Sequence, residues 1–387
     1  MSNKKFANCI HIVKRDVHNK WVLAGLYGGG ILLAFILGAI LLAVLKVNPF
    51  EYYKDMFTIG MIGNKYLEKS IENWIIVFIP LVITSLGLTL AFKMRFWNIG
   101  GKGQFIIGSI VASAIALTLN SNTSPFLLIT LMSIGGGLSA GLYGMITAVL
   151  KVKFGTNETI LTLMLNYIAL YILFYFGETQ GTWNIFLAKD SVRPVFEKFS
   201  QNAWMTTIEM GDFKLNVSII IAFLFAIFVW FYLNKTKQGY EISVVGDSIS
   251  TAKYAGMKVN KIIVRTMFIS AMLIGIAGAF NVSTAHTLSS SVSYGEQGWT
   301  GIVVVWLAKL NPFAVVVISI LLSWLQYGCI VAASSYTTVN SYFADMLQGI
   351  ILFIVLAVDF FIRYKIVFNK KRNSPKTLES ICVKEEK

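Results

Sequence analysis

The sequence predicts an all-α, polytopic membrane protein with about ten transmembrane helices, and three observations support this fold class. Of its 387 residues, 56% are hydrophobic and only 13% are charged, which is about half the charged fraction of a soluble domain. The mean hydropathy is +0.68. The apolar residues also gather into runs of helix-spanning length, which a water-soluble protein does not tolerate.

Ten such runs follow one another along the chain, and almost all charges lie between them. A helix rises ~1.5 Å per residue, so about 20 residues cross ~30 Å of hydrocarbon. The runs 105–119 and 299–308 are too short to cross alone. Each is expected either to borrow neighbouring Gly-rich backbone or to enter the bilayer part-way. The runs cover residues 22–47, 74–92, 105–119, 125–150, 159–177, 215–233, 265–285, 299–308, 312–333 and 343–362.

The first run resembles a signal peptide only superficially. Basic residues precede it, but it is long and reaches Lys46 where a cleaved signal would have small residues. We therefore expect a retained helix. The predicted organisation is a cytoplasmic N-terminal segment (1–21), a transmembrane domain (22–362) and a cytoplasmic basic tail (363–387).

Charge asymmetry predicts the orientation. If every run crosses once, one side of the membrane holds 25 of the 33 Lys and Arg residues. This excess places that side, with both termini, in the cytoplasm. The basic residues then set topology and contact anionic lipid, and no nucleic-acid binding is predicted. The basic side consists of residues 1–21, 93–104, 151–158, 234–265, 309–311 and 363–387.

The largest predicted external loop, 178–214, carries Trp183 and Trp204. Their amphipathic rings suit the outer membrane surface. Two interpretations stay open: a docking surface for an external partner, or a simple cover over the helix ends.

Enzymatic chemistry is not predicted within the membrane. The carboxylates of the runs, Asp345 and Asp359, lie near the ends of the last one, and no run contains His. Neither a catalytic pair nor a proton relay is therefore expected at membrane depth. The three cysteines are scattered without metal-ligand spacing, so no metal site is predicted. No phosphate-binding loop of the G-x-x-x-x-G-K-[ST] type occurs, so any ATP-derived energy must come from a partner.

The cytoplasmic loop 234–264 suits such a partner. Asp247 or Ser248 can cap a short helix, and Gly256 can end it in the left-handed conformation, which leaves about two turns. Within those turns, small Ala252 and Ala255 allow close approach and Tyr254 offers an aromatic anchor. The alternative is an ordinary connecting helix.

Three segments resemble the motifs of ABC importer permeases of the ribose, nucleoside and branched-chain amino acid superfamily. Residues 246–257 resemble the family's G-x-N-x-x-A-A-x-x-A-G-I loop, and residues 96–104 resemble F-N-I-G-x-E-G-Q with Lys102 in place of the acidic residue. The most specific match is residues 155–169, which resemble G-x-N-E-x-I-x-T-L-M-L-N-Y-I-A. The likeness extends from about residue 20 to 365 and is greatest to permeases that work with nucleoside-binding lipoproteins of the basic-membrane-protein type.

The resemblance implies a multi-pass protein of the bacterial plasma membrane that is itself not an enzyme. Two permease chains, identical or more often different, would form the pathway, and an external substrate-binding lipoprotein would deliver the solute. Two cytoplasmic ATPase subunits would bind ATP and Mg²⁺, and this chain would bind no cofactor. The implied coupling helix, which the ATPase would grip, includes Asp247, Ser248, Ala252, Tyr254, Ala255, Gly256 and Met257.

The solute pathway is predicted from two short, Gly-interrupted segments, residues 98–104 and 293–301. Such paired segments mark the midplane sites of transporters, and the predicted topology starts them on opposite sides. Amides can bind hydroxyls or a base edge and Trp can stack on a base, although polar groups can also simply satisfy one another between helices. The candidate pathway residues are Asn98, Gln104, Asn166, Glu296, Gln297 and Trp306.

The predicted function is therefore that of a permease subunit of an ATP-driven importer, with nucleosides as the favoured solute. Ribose or another small solute is the nearest alternative. A stand-alone secondary transporter or channel and a membrane-bound transferase are the rivals from other classes.

Small residues predict close helix packing in the fourth run. Gly135 to Gly137, Gly141 and Gly144 form one face, with Gly137 and Gly141 at G-x-x-x-G spacing. In lipid, such a face lets two helix backbones approach each other.

Overall fold

The computed structural model describes residues 10–14, 20–58, 67–119, 123–189, 191–211, 213–291, 294–336, 339 and 341–368. Most of the two predicted terminal segments, 1–21 and 363–387, lies outside these residues. The chain divides into two compact units, Met1–Pro49 with Met346–Lys387 and Phe50–Asp345.

Helices dominate the described residues. In chain order the elements are β1 (Ile10–Lys14), α1 (Lys20–Val44), α2 (Pro49–Phe57), α3 (Leu67–Lys93), α4 (Gly101–Thr118), α5 (Pro125–Phe154), α6 (Glu158–Glu178), β2 (Thr207–Met210), β3 (Phe213–Asn216), α7 (Ser218–Lys235), α8 (Lys237–Asp247), α9 (Ile249–Tyr254), α10 (Val259–Ala285), α11 (Gln297–Leu307), α12 (Pro312–Ser334), α13 (Ser341–Arg363) and β4 (Tyr364–Phe368).

The first unit joins the two ends of the described chain. Strands β1 and β4 pair antiparallel, with Ile10 opposite Phe368. A Cβ atom at Gly30 of α1 would lie 2.5 Å from the Cγ2 atom of Val358 in α13, so the two helices touch there. The strand pair was not predicted, because five-residue strands among basic residues carry little apolar pattern.

The second unit is built around α3. Its side chains from Phe78 to Phe92 are all buried, as expected for a helix that is apolar on every side. The same helix packs against α10, α11, α12 and α7. α10 in turn packs against α4 and α5, so α3 and α10 form the centre of this unit.

The predicted glycine face of α5 is confirmed as a close-packing surface. A Cβ atom at Gly136 would lie 2.8 Å from the carbonyl oxygen of Gly108 in α4, and one at Gly141 would lie 2.9 Å from the ring of Phe268 in α10. A Cβ atom at Gly108 would lie 2.5 Å from the Cα atom of Gly275. Three helix backbones therefore meet where a side chain would not fit.

Each of the ten predicted runs contains a helix. Seven helices of the described residues, α3 to α7, α10 and α12, are long and apolar enough to cross a membrane. α4 reaches 18 residues because it starts at Gly101. The helix of run 105–119 therefore does extend into the neighbouring Gly-rich segment. α11 has 11 residues, or ~16 Å, which is too short to cross. α2 was missed because it is charged and only partly apolar.

Candidate functional site

α4 begins inside the helix bundle, where buried amide groups hold its first turn. The side chains of Asn98 and Gln104 form a reciprocal pair, with N–O distances of 3.1 and 3.0 Å. The Oδ1 atom of Asn98 also accepts a hydrogen bond from the Gly100 backbone N–H at 3.1 Å. Both side chains are buried. Asn98 therefore satisfies one backbone N–H at the start of the helix, and Gln104 holds the Asn98 side chain in place.

Asn166 of α6 holds the start of α4 in place through two hydrogen bonds. The Oδ1 atom of Asn166 accepts from the Gly103 backbone N–H at 2.7 Å, and its Nδ2 atom donates to the Ile99 carbonyl oxygen at 2.9 Å. Asn166 lies eight residues after Glu158, the first residue of α6, which is ~12 Å along the helix axis. The loop between α3 and α4 therefore folds back into the bundle.

α11 begins against the first turn of α4. A Cβ atom at Gly298 would collide with the backbone of Gly101 and Lys102, so glycine is required for this approach. In the preceding loop, the ring of Tyr294 packs edge-on against Phe105 at 5.8 Å. Two helix N-termini, each reached by a loop that turns back, thus meet within the second unit. Their partial positive charges favour a negative group nearby.

An ion pair lies at this junction. The Lys102 Nζ atom donates to the Glu296 Oε1 atom at 2.6 Å, and the two side chains are 9% and 39% exposed. The Oε1 atom of the neighbouring Gln297 is buried and accepts no hydrogen bond from the described residues. The partly exposed carboxylate is a group that a polar solute could contact.

The ion pair leads to a stability prediction. Replacing Glu296 by Gln should destabilise the protein by about 2 kcal/mol, because it removes the carboxylate to which the mostly buried ammonium group of Lys102 donates. Lys102→Met should cost less, because Glu296 is partly exposed and can stay solvated. The thermal unfolding midpoints of both variants and of the double variant in detergent test this order. A larger loss for Lys102→Met would contradict it.

An exposed aromatic cluster lies at the other end of α11. The rings of Trp97 and Trp306 stack at 5.4 Å with an interplanar angle of 25°, and Phe92 contacts both at 6.0 Å. Both Trp rings remain partly exposed. The cluster offers an aromatic face of the type on which a planar ring can stack.

Five of the six candidate pathway residues lie at or beside the starts of α4 and α11, and Trp306 lies at the other end of α11. Asn98, Gln104 and Asn166 have their polar atoms engaged within the protein, whereas Glu296, Gln297 and Trp306 retain an exposed or unpaired face. Their role in a pathway stays a prediction. The sequence reasoning missed Lys102 and Trp97 as site residues. A lysine embedded among apolar residues was the available signal for Lys102, because such a group requires a partner.

The short helix predicted within loop 234–264 is confirmed as α9. The Ser248 hydroxyl, not Asp247, caps it by accepting the Thr251 backbone N–H at 3.2 Å. Gly256 has a φ of 74°, and the Met257 N–H donates to the Ala252 carbonyl oxygen at 3.0 Å. The capping residue Ser248 and the terminating residue Gly256 were sufficient to locate this helix from the sequence.

The two faces of α9 differ. Ala252 is fully buried, so it anchors the helix to its own chain, whereas Tyr254 is 96% exposed and Ala255 is exposed beside it. Gly246, at the end of α8, contacts the Lys93 carbonyl oxygen at the end of α3 so closely that no Cβ would fit. This contact joins α8, which precedes α9 in the chain, to the end of α3.

A basic groove runs beside α9, between α8 and α10. Its volume is about 420 Å³. Arg265, one of its lining residues, pairs with Glu241 at 2.9 Å. The net positive charge of the groove therefore comes from its lysines. The lining residues are Lys237, Tyr240, Glu241, Ala255, Gly256, Met257, Lys258, Lys261, Ile262 and Arg265.

The predicted external loop 178–214 is folded over the helix ends. Buried Phe186, Phe196 and Phe199 give it a small core. Trp204 stacks on His286, at the end of α10, at 4.0 Å. Burial, and then the charge of Lys198, lowers the pKa of His286 below its usual value. The loop covers helix ends, which leaves a docking role for its outer surface open.

The comparisons with a family model and with individual proteins agree that the chain is similar to transport permeases. Residues 70–356 match the model of the permease component of branched-chain amino acid transport systems. The nucleoside ABC transporter permease of Lactococcus lactis is 29% identical over 304 residues, which is 77% of this chain and 81% of the relative. The guanosine ABC transporter permease of Bacillus subtilis is 28% identical, over 78% and 84% of the two chains. The ribose import permease of Haemophilus influenzae is 25% identical, over 84% and 92%. No solved structure matches.

Proposed function

The chain belongs to the family of permease components of branched-chain amino acid transport systems, and from this membership we propose that it is the permease subunit of an ATP-driven nucleoside importer. It is a multi-pass protein of the plasma membrane. The meeting of two helix starts, those of α4 and α11, within the second unit carries the structural part of the proposal. Transporters place their solute sites where interrupted helices meet at mid-depth.

The proposed topology has ten crossings and both termini in the cytoplasm. The loop before α4 then enters from the cytoplasmic side, and the loop before α11 enters from outside. This arrangement accounts for the starts of two helices at a similar depth, with Lys102 and Glu296 between them. α11 itself, with its 11 residues, spans only the inner half of the bilayer.

The solute is proposed to be a nucleoside. Nucleoside and guanosine permeases are among the relatives that cover most of the chain. The groups along α11 suit such a molecule, because the carboxylate of Glu296 at its start can accept from ribose hydroxyls and the Trp97–Trp306 pair at its other end can stack on a base. Ribose is the second candidate, because a ribose permease also matches over 84% of the chain.

The energy is proposed to come from separate ATPase subunits, which hold ATP and Mg²⁺. The chain contains no phosphate-binding loop of the Walker type, and α9 with its exposed Tyr254 offers a rigid docking element. We propose a second permease chain, most readily a different one, and an external binding lipoprotein as the remaining partners.

A competition experiment tests the solute. Cells with and without this chain are given labelled nucleosides in the presence of unlabelled purine and pyrimidine nucleosides, ribose or free bases. We expect nucleoside uptake that depends on the chain, resists ionophores and is inhibited by nucleosides more strongly than by ribose. Unchanged nucleoside entry together with lost ribose entry would contradict the choice of solute. Accumulation by the purified chain alone would contradict ATP coupling.

A further inference from the structure

The exposed face of α6 carries tyrosine side chains, which the exposed faces of α5 and α7 in the same unit do not. Tyr167, Tyr171 and Tyr175, here called the tyrosine stripe, follow one another at four-residue intervals and are 54%, 65% and 56% exposed. Residues four apart lie on one side of a helix. The three rings therefore form one row with a rise of ~6 Å per step.

The stripe reaches the middle of the bilayer. α6 has 21 residues, or ~32 Å, which matches the thickness of the hydrocarbon core. Tyr167 is the tenth of them, so its hydroxyl lies far from both membrane surfaces. Aromatic belts at the lipid surface explain Tyr175 but not Tyr167. A phenol hydroxyl at mid-depth needs water or a polar partner.

Two other helices of the same chain show what its lipid-facing surfaces look like. Lys153, Asn234 and Lys235 are exposed only in the last turns of α5 and α7, and before these turns the exposed large side chains of both helices are all apolar. On α5 these are Phe126, Leu127, Leu131, Ile134, Leu138, Leu142 and Ile146, and on α7 they are Ile220, Phe223, Leu224, Ile227, Phe228 and Phe231. The three phenols of α6 therefore indicate a face that meets something more polar than lipid.

A further aromatic ring and a polar cavity continue the stripe beyond the membrane. Trp183 in the loop after α6 stacks on Tyr175 at 5.7 Å with an interplanar angle of 25°. The residues flanking Trp183 line a cavity of about 340 Å³, a volume within the range of small-molecule sites. Five of its eight lining residues have polar side chains; the eight are Gln180, Gly181, Thr182, Asn184, Leu187, Ala188, Lys189 and Ser191.

We propose that the tyrosine stripe and Trp183 form a wall of the solute route, along which the nucleobase stacks on successive rings. This inference rests on the proposed nucleoside import. Stacking on aromatic side chains tolerates every base, because each base has a π face. The phenol hydroxyls can hydrogen-bond to ribose or to a base edge. A wall of this kind would pass purine and pyrimidine nucleosides and favour both over free ribose.

Nucleoside uptake by variants of Tyr171 tests whether the tyrosine stripe lines the solute route. Tyr171→Leu should lower nucleoside uptake about tenfold, the effect of losing one stacked ring, whereas Tyr171→Phe should retain most of it. Phe228→Leu, which removes a comparably exposed ring from the apolar face of α7, should behave as wild type. All variants should co-purify with the ATPase and the second permease chain at wild-type levels.

A labelling experiment tests whether water reaches the stripe. In a chain whose three native cysteines are replaced by Ala, Tyr171→Cys in the assembled importer should react with a membrane-impermeant thiol reagent, and guanosine should slow the reaction. Phe228→Cys should not react. An unreactive Tyr171→Cys would overturn the proposal.

The remaining outcomes distinguish a failure of the proposed wall from a failure of the proposed nucleoside import. Wild-type nucleoside import with unchanged import by Tyr171→Leu would overturn the wall alone. Loss of the second permease chain from Tyr171→Leu would also overturn it, because the stripe would then be a contact between subunits. A wild-type chain that imports no nucleoside would overturn the proposed function and the stacking role together.

Discussion

Replacing Tyr254 by Ala should reduce solute uptake at least about tenfold while the permease remains in the membrane. The side chain is 96% exposed at the tip of α9, so its removal does not disturb the core of the chain. Exposed tyrosines that anchor a protein interface commonly contribute 2 kcal/mol or more to binding, and a loss of 1.4 kcal/mol already weakens binding about tenfold. Co-purification of the ATPase with the tagged permease measures the effect directly.

The matched control is Phe154→Ala. Phe154, the last residue of α5, is predicted to lie on the same side of the membrane and is 72% exposed, but it is not part of α9. We expect wild-type uptake and ATPase binding from this variant. Normal uptake by Tyr254→Ala, with the ATPase still bound, would show that α9 is only a connecting helix.

Ala252 illustrates why the inner face of α9 is a poor place for the same test. Small size at this position suggested a partner contact, but its side chain is fully buried against its own chain. A bulky residue there would displace α9 itself, so lost transport would not separate misfolding from lost docking. Sequence spacing located the helix and its cap, whereas the direction of each side chain required the structure.

The helices themselves could largely be predicted from the sequence, because lipid allows little besides long apolar segments with satisfied backbone groups. The run 105–119 shows where this reasoning ends. Its helix gains four residues at the N-terminus, Gly101 to Gln104, because Asn98 and Asn166 supply hydrogen bonds to its first turn. Such partners come from a loop and a distant helix, so local apolar periodicity cannot reveal them.

The candidate site was predicted in part for the same reason. Amides and a carboxylate in apolar surroundings indicated two segments that the structure brings into contact, because such groups need partners wherever they lie. The pairing of Lys102 with Glu296, 194 positions apart in sequence, depends on the approach of Gly298 to Gly101. Tertiary contact between two glycines leaves no periodic signal. The tyrosine stripe was visible in the sequence, but only the exposure of its rings makes it distinctive.

Gly136→Val should be among the most destabilising single substitutions in the transmembrane helices, with a loss of about 3 kcal/mol or more. A Cβ atom at this position would lie 2.8 Å from the Gly108 carbonyl oxygen and 3.2 Å from the Cβ atom of Ala279. The obstructing oxygen belongs to the backbone of α4, so no side chain can move aside to relieve the contact. Three helices would have to separate, and van der Waals packing between helix backbones is what holds helices together in lipid.

Leu138→Val is the matched control for this prediction, because it introduces the same β-branched side chain two residues away on the exposed face of α5. Thermal unfolding in detergent and the amount of protein in the membrane should distinguish the two variants, with Leu138→Val close to wild type. Equal stability of both variants would mean that the crossing of α4, α5 and α10 can open by several tenths of an ångström at little cost. In that case glycine would be present at Gly136 for a reason other than close packing, such as movement between the helices during transport.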